Sequence, residues 1–293
     1  MRVRGNTAGN LSGGAIFLTG SPEAARIANS AFISNTLLNG SGGAIETAAG
    51  TTTIANCAFS GNSASTGGAL IIKSGDSVVN CSFANNSSPN GSAVRAALGS
   101  GSSSAEIVNC AMWGNTGSDP IFFTGSGTLT VDYSIVEGGW TGAGTGNLNA
   151  NPLFADAASH DLRLLPASPA IDSGDSPSAS PHVGAVDLAG NPRFYDEPTV
   201  PDTGIPVTSL VIDIGAYEFG SDSLLEGACC VGDGCLPATE DDCIAVGGTY
   251  FGDGTDCGSV TCAPACPEDV NGDGMVNLSD LAMLLATFGT SCP

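Results

Sequence analysis

The chain has 293 residues, 42 of them Gly, with aromatics at 6% and charged residues at 12%, room for one large domain or two smaller ones. Seven Lys and Arg stand against 29 Asp and Glu; five bases cancel five acids over residues 1–130, so the net charge of −22 belongs to residues 131–293. No basic patch exists to neutralise phosphates, and no apolar run reaches about 18 residues, so nucleic acid is excluded as an ordinary partner and a transmembrane helix is excluded as an element.

The N-terminal MRVRGNTAGN has two arginines but no apolar stretch behind them, so no signal peptide is visible. A repeat follows. Ile27-Ala-Asn29-Ser30-Ala-Phe32-x-x-Asn35 returns as Ile54-Ala-Asn56-Cys57-Ala-Phe59-x-x-Asn62. It returns again as Val78-Val-Asn80-Cys81-Ser-Phe83-x-x-Asn86 and Ile107-Val-Asn109-Cys110-Ala-Met112-x-x-Asn115. Small-residue turns trail these blocks at Gly42-Gly43-Ala44-Ile45, Gly67-Gly68-Ala69-Leu70 and Gly91-Ser92-Ala93-Val94. Val3-Arg4-Gly5-Asn6, with Gly13-Gly14-Ala15-Ile16 behind it, fits the same frame, so the chain is expected to begin in mid-coil with its export signal encoded upstream.

The blocks are short, β-branched and punctuated by Gly, Asn and Ser, which predicts strands and turns. Residue parity locates a bend. Ile54 and Cys57 would face opposite sides of a straight strand; both face inward only if Asn56, a residue that tolerates the left-handed conformation, turns a corner. Gly67-Gly68 makes another corner, where no Cβ obstructs a positive φ. Coils stacked about 4.8 Å apart then pile like on like. Ile27, Ile54, Val78 and Ile107 form one inner column, Ser30, Cys57, Cys81 and Cys110 a second, and Phe32, Phe59, Phe83 and Met112 a third. Asn29, Asn56, Asn80 and Asn109 are expected to form an amide ladder at the bend. The predicted fold class is all-β, a parallel β-helix over residues 1–220.

The Phe-x-x-Asn and Gly-Gly-Ala-aliphatic pair over residues 1–130 resembles the repeat of polymorphic outer membrane proteins, within the wider family of right-handed parallel β-helix proteins. That resemblance implies a right-handed solenoid that is secreted or exposed at the cell surface or cell outer membrane, adhesive or glycan-binding. From about residue 128 the repeat loosens. Leu129-Thr-Val131-Asp-Tyr133-Ser134-Ile135-Val136 still reads as a rung. Asn151-Pro152-Leu153-Phe154, Ser168-Pro169-Ala170-Ile171-Asp172 and Asp213-Ile214-Gly215-Ala216-Tyr217-Glu218 resemble the closing coils of bacterial secreted β-helix proteins. Asp172, Asp175, Asp213 and Glu218 read as acids satisfying turns through their own backbones, and His160 and His182 as loop residues.

Cys57, Cys81 and Cys110 read as small buried hydrophobes, although adjacent coils would allow one pair. The other eight, Cys229, Cys230, Cys235, Cys243, Cys257, Cys262, Cys266 and Cys292, are even in number, without Cys-x-x-Cys spacing or a nearby His. They predict a disulfide-rich segment over 221–265 and an oxidising compartment, rather than zinc. Residues 266–293 hold a calcium loop of the D-x-[DN]-x-[DN]-G type. Asp269, Asn271 and Asp273 supply oxygens at positions 1, 3 and 5, Met275 its carbonyl at 7, Asn277 serves 9, and Asp280 closes at 12, around Ca²⁺. Leu281, Leu284, Leu285 and Phe288 then predict one apolar helical face. Loop and helix together resemble one half of a type I dockerin, which implies attachment to a cohesin-like or envelope partner. A Cys266–Cys292 bridge is expected to brace the single copy.

Parallel β-helices also host pectate lyases and polygalacturonases, which need clustered acids on one sheet. The slot after each Gly-Gly-Ala-aliphatic turn reads Phe17, Glu46, Ile71, Arg95 and Phe123, with no acid cluster, and two loop histidines do not build a nucleophilic triad. The expectation is therefore a non-catalytic secreted or surface protein that binds polysaccharide or cell-surface glycan. The alternative is a piece of a polysaccharide lyase or glycoside hydrolase whose catalytic coils lie upstream.

Overall fold

The computed structural model describes residues 1–9, 12–19, 24–47, 51–221, 226–232, 234–262 and 278–286. The chain divides into two compact units, Met1–Asp222 and Ser223–Pro293.

The first unit is a parallel β-solenoid of about five turns. Each turn has three walls. The first holds Arg2–Arg4, Ala25–Ile33, Thr52–Ser60, Ser77–Val79 with Ser82–Ala84, Ser104–Val108 with Ala111–Trp113, and Thr128–Asp132 with Ile135–Val136. Thr7–Ala8, Thr36–Ser41 and Ser63–Thr66 form the second, and Ile16–Leu18, Ile45–Thr47, Leu70–Ile72, Val94–Ala97 and Ile121–Thr124 the third. Every pairing between successive turns is parallel.

Three left-handed corners recur from turn to turn. Asn29, Asn56, Asn80 and Asn109 bend the first wall with φ of 47°, 49°, 48° and 52°, and Tyr133 does so in the next rung at 44°. The Gly-Gly corner has Gly42, Gly67 and Gly91 at 76°, 60° and 78°. A Cβ on the second glycine of that corner has no room: at Gly43 it would stand 2.0 Å from the Gly68 carbonyl oxygen one rung on. The corner between the first and second walls was not foreseen. It lies just before the Asn of Phe-x-x-Asn, where Gly5, Ser34, Gly61, Asn85 and Gly114 take φ of 67°, 53°, 69°, 56° and 69°.

The inner columns follow the repeat. Ile27 pairs with Ile54, Ile54 with Val78, Val78 with Ile107 and Ile107 with Val131. Phe32, Phe59 and Phe83 stack face to face, with centroids 5.1 and 4.8 Å apart, and Met112 and Val136 continue their column. Cys57, Cys81 and Cys110 are buried free thiols, between Ser30 and Ser134 in the same column. Each donates to the carbonyl two residues earlier, across the Asn corner: Cys57 Sγ to Ala55 O at 3.2 Å, Cys81 Sγ to Val79 O and Cys110 Sγ to Val108 O at 3.3 Å. Ser30 and Ser134 do the same with their hydroxyls, at 2.8 and 2.9 Å. The column thus selects a small side chain with one donor, and burial pushes the Cys57 and Cys81 thiols well above their usual range.

The amide ladder exists, but on other asparagines than expected. The last residue of each Phe-x-x-Asn faces the interior. Nδ2 of Asn6, Asn35, Asn62 and Asn86 donates to Oδ1 of Asn35, Asn62, Asn86 and Asn115, at 2.8, 3.0, 2.9 and 2.9 Å. Those same oxygens accept the backbone N–H of the preceding rung's Asn. The second amide hydrogen goes to a carbonyl one rung back, as from Asn62 to Phe32 O at 2.9 Å. Among the corner asparagines only one such link forms, Asn109 Nδ2 to Asn80 Oδ1 at 3.3 Å. A left-handed corner turns its side chain away from the core, where it meets the chain's own later residues instead.

Those later residues were expected to close the solenoid as further coils. A short rung does form, through bridges from Thr130 to Ala143 and Ile135 to Leu148. Beyond it the chain leaves the stack and folds back along the outside of the first wall. Asn56 Nδ2 donates to Val186 O, Asn80 Nδ2 to Asp213 O, and Asn109 Nδ2 to Asp175 O, at 3.0, 2.9 and 3.0 Å. The outward residues of the wall explain the choice. Ala55, Val79 and Val108 pack against Ala179, Val183 and Ile212, Ala58 and Ala84 against Leu162, and Ala111 and Ile135 against Ile171 and Ile214. A wall whose outer side is apolar and small is more stable covered than wet. Gly215 marks the closest approach: a Cβ there would meet Ser82 Oγ at 2.8 Å.

The second unit holds an antiparallel sheet, Gly234–Ala238, Gly227–Val231 and Thr249–Asp253 in that order, and the helix Glu240–Ala245 capped by Thr239. Cys229–Cys243, Cys230–Cys262 and Cys235–Cys257 are disulfides. Their sulfurs are spent on one another, which disposes of zinc for these six. Cys266 and Cys292 lie outside the described residues. No helix among the described residues is long and apolar enough to cross a membrane.

Candidate functional site

Where the folded-back segment crosses the wall, charged side chains are buried together. Arg193, fully buried, donates through Nη2 to the carbonyls of Asp213 and Gly215, both at 2.8 Å, and its Nε stands 3.5 Å from Glu218 Oε2. The Glu218 carboxylate accepts the Asp213 N–H. Asp213 accepts the N–H of Asp172 at 2.8 Å and of Phe219 at 2.6 Å. Asp187 gathers the N–H groups of Ala189, Gly190 and Asn191 on one oxygen and that of Glu218 on the other. Asp175 caps the short helix Ser176–Ala179 through Ser178. Asp175 and Glu218 therefore satisfy backbone close to them in the chain, as the sequence suggests, while Asp213 also ties down the distant Asp172 N–H. Burial raises the carboxyl of Asp213 to about 7 and that of Glu218 well above its usual range, with Arg193 opposing both.

Asp172 differs. It is 1% exposed, sits in a left-handed corner at φ 48°, and neither carboxylate oxygen makes a hydrogen bond of ordinary geometry, although the Glu197 N–H lies near enough to act on it. Its corner repeats the solenoid's own: Ser173 Oγ donates two residues back to Ile171 O, as the Cys column does. Asp196 and Asp202 join it, so that one oxygen from each of the three lies within 4.8 Å of the others. Burial first, then the negative charge of Asp213, pushes Asp172 up to about 7; the Glu197 N–H acts the other way. Asp196 is also raised, by desolvation and by Asp202. Sequence reasoning missed Asp196 and Asp202. They sit in YDEPTVPDTG, an acidic, proline-bearing loop with no spacing that ties it to Asp172.

The sequence-predicted calcium ligands Asp269, Asn271, Asp273, Met275 and Asn277 lie outside the described residues. Asp280 lies in the first turn of the helix Leu278–Ala286 and is buried, a position where a carboxylate favours the helix dipole. Of the apolar stripe behind it, Leu281 and Leu285 are exposed, while the side chain of Leu284 and all of Phe288 lie outside the described residues.

The histidines are held as structural groups. His160 Nδ1 pairs with the buried Ser60 Oγ at 2.7 Å, and His182 Nε2 lies 3.9 Å from Glu106 Oε1. On the third wall the outward column is Phe17, Glu46, Ile71, Arg95 and Phe122. Phe122 replaces the expected Phe123 because Ser118-Asp119-Pro120 stands where Gly-Gly-Ala would, leaving Ile121 in the aliphatic slot and Phe123 turned toward the core.

A groove of 640 Å³ opens between the first wall and the folded-back segment, lined among others by Asn29, His160, Asp161, Arg163 and Tyr217. Arg163 grips Asp161 with a fork, Nη2 to Oδ2 at 2.7 Å and Nε to Oδ1 at 3.0 Å, and holds its carboxyl below the usual range.

Fold and sites together define a parallel β-solenoid, flanked by its own returning chain and followed by a disulfide-linked unit. Compared with protein-family models, curated proteins and solved structures, the chain matches none.

Proposed function

We propose that this is a non-catalytic secreted or cell-surface solenoid that binds polysaccharide or cell-surface glycan. The observation that carries the reading is the groove beside Tyr217. An aromatic ring offers a face to the apolar side of a sugar, and the Asp161–Arg163 fork and the Asn29 amide offer planar donors and acceptors to its hydroxyls. Catalysis finds less support. The carboxylates of Asp175, Asp187, Asp213 and Glu218 are engaged with backbone N–H groups, the outward column separates Glu46 from Arg95 by Ile71, and Ser60 is too deeply buried to act as a nucleophile. The resemblance to polymorphic outer membrane protein repeats and to half of a type I dockerin supports surface display. In this reading Asp269, Asn271, Asp273, Met275, Asn277 and Asp280 bind Ca²⁺ and the C-terminal unit attaches to a cohesin-like or envelope partner. A glycan array probed with the wild-type chain and with Tyr217→Ala and Arg163→Ala tests this. Binding without turnover, lost in both variants, is expected. Sustained release of unsaturated products from polygalacturonate with Ca²⁺ would overturn it in favour of a polysaccharide lyase.

A further inference from the structure

The cluster around Asp172 has a property that Glu218 lacks: it is assembled firmly and has no ion pair among the described residues. Two backbone bonds hold its parts together. The Asp172 carbonyl accepts the N–H of Thr203 at 2.9 Å and of Gly204 at 3.1 Å, and the Ser173 and Thr203 hydroxyls pair at 2.6 Å. Asp202 is thereby fixed beside Asp172. None of the ion pairs among the described residues reaches Asp172, Asp196 or Asp202, and the nearby Arg193 is already committed to Glu218 and two carbonyls. A carboxylate removed from water without a hydrogen bond or a counter-charge is costly.

A small cation that favours oxygen ligands would supply the missing charge. All three donors are carboxylate oxygens within 4.8 Å of one another, and calcium's flexible shell of oxygens at about 2.3–2.6 Å tolerates such a spread where magnesium demands near-ideal octahedral geometry at about 2.1 Å. The exposed side of Asp202 leaves a way in from solvent. We propose that Asp172, Asp196 and Asp202 hold a calcium ion that pins the 195–204 loop to the flank of the solenoid. The ion would take the place that a basic side chain fills beside Glu218, in a chain with only seven Lys and Arg. This site is separate from the 269–280 loop and does not depend on the glycan reading.

The test uses the full chain carrying Asp269→Asn and Asp273→Asn, so that the C-terminal loop is silenced, with CaCl₂ as the probe. Calorimetry should count one Ca²⁺ per chain. Fluorescence from Trp113 and Trp140, both in the solenoid unit, should show its thermal midpoint rising by roughly 5–10 °C at hundredfold excess over Kd and falling back with EDTA. Adding Asp196→Asn and Asp202→Asn, both on the surface loop, should abolish binding and shift together while leaving the EDTA midpoint unlowered. No bound Ca²⁺ in the silenced chain, or a calcium-dependent shift that survives the loop substitutions, would overturn the proposal. The difference between the wild-type and silenced chains reports on the 269–280 loop independently.

Discussion

Replacing Asn62 by Ala removes the middle step of the interior ladder. Its Oδ1 accepts both the backbone N–H and the Nδ2 of Asn35, each at 3.0 Å, and its Nδ2 donates to Phe32 O and Asn86 Oδ1, both at 2.9 Å. Asn86 Oδ1 keeps the Asn62 N–H, and Asn35 Nδ2 keeps Val3 O. What remains unanswered is the Asn35 N–H and one Asn35 amide hydrogen, where Asn35 and Asn62 are fully buried; the Phe32 carbonyl, which lies in the strand ladder, loses one donor. At about 1–3 kcal/mol for each unsatisfied buried group, the loss comes to about 2–5 kcal/mol. Asn6→Ala provides the scale. Its side chain makes one such bond, donated to Asn35 at the exposed end of the ladder, so that loss should be about 1 kcal/mol. Urea unfolding followed by tryptophan fluorescence measures both, with a lower midpoint and an unchanged slope expected. A loss below about 1 kcal/mol for Asn62→Ala would refute the claim that the ladder, rather than the Phe stack alone, holds successive rungs in register.

Arg193→Met leaves Glu218 buried without its partner and should cost about 3–5 kcal/mol in the same assay; adding Glu218→Gln should recover part of that loss. The Cys57 and Cys81 thiols give a pH signature. Folded, they titrate well above 9.0, so as pH climbs through about 9 the unfolded chain sheds protons the folded chain keeps, and stability falls. Cys57→Ser with Cys81→Ser, matching the serines already in that column, should flatten the alkaline slope between pH 8 and 10 by roughly the share of two thiols; an unchanged slope contradicts the assignment. Dithiothreitol should unfold the 226–262 region, whose three bridges each restrict the unfolded chain by about 3–4 kcal/mol, while leaving the tryptophan signal of the solenoid unmoved. A parallel loss of both signals would show that the units do not fold independently.

The walls and columns were legible because a stacked coil repeats each position's environment, so the same side chain is selected at every rung. The parity slip at Asn56 and the paired glycines at 67 and 68 marked two corners for the same reason. The third corner was readable in Gly61 and Gly114, but Ser34 and Asn85 in the alternate rungs masked it. Which asparagines form the ladder was not legible, since both sets recur at the same period; only the left-handed bend, which turns Asn56 outward and leaves Asn62 facing in, separates them. The returning segment has no period at all. Its one advance signal is the small residue after each Asn-Ser or Asn-Cys pair, Ala31, Ala58, Ser82 and Ala111, too small for an outer surface that meets water. Asp172, Asp196 and Asp202 meet through that irregular segment, which is why spacing could not reveal them. The D-x-[DN]-x-[DN]-G spacing at 269–280 is local instead, and needs no tertiary contact to be recognised.

The most direct measurement is a crystal structure of the full chain. The account predicts Phe32, Phe59 and Phe83 stacked at about the 4.8 and 5.1 Å found here, with the 160–220 segment lying against the outer alanines of the first wall. Those rings on different faces, or that segment continuing the stack as further rungs, would contradict it.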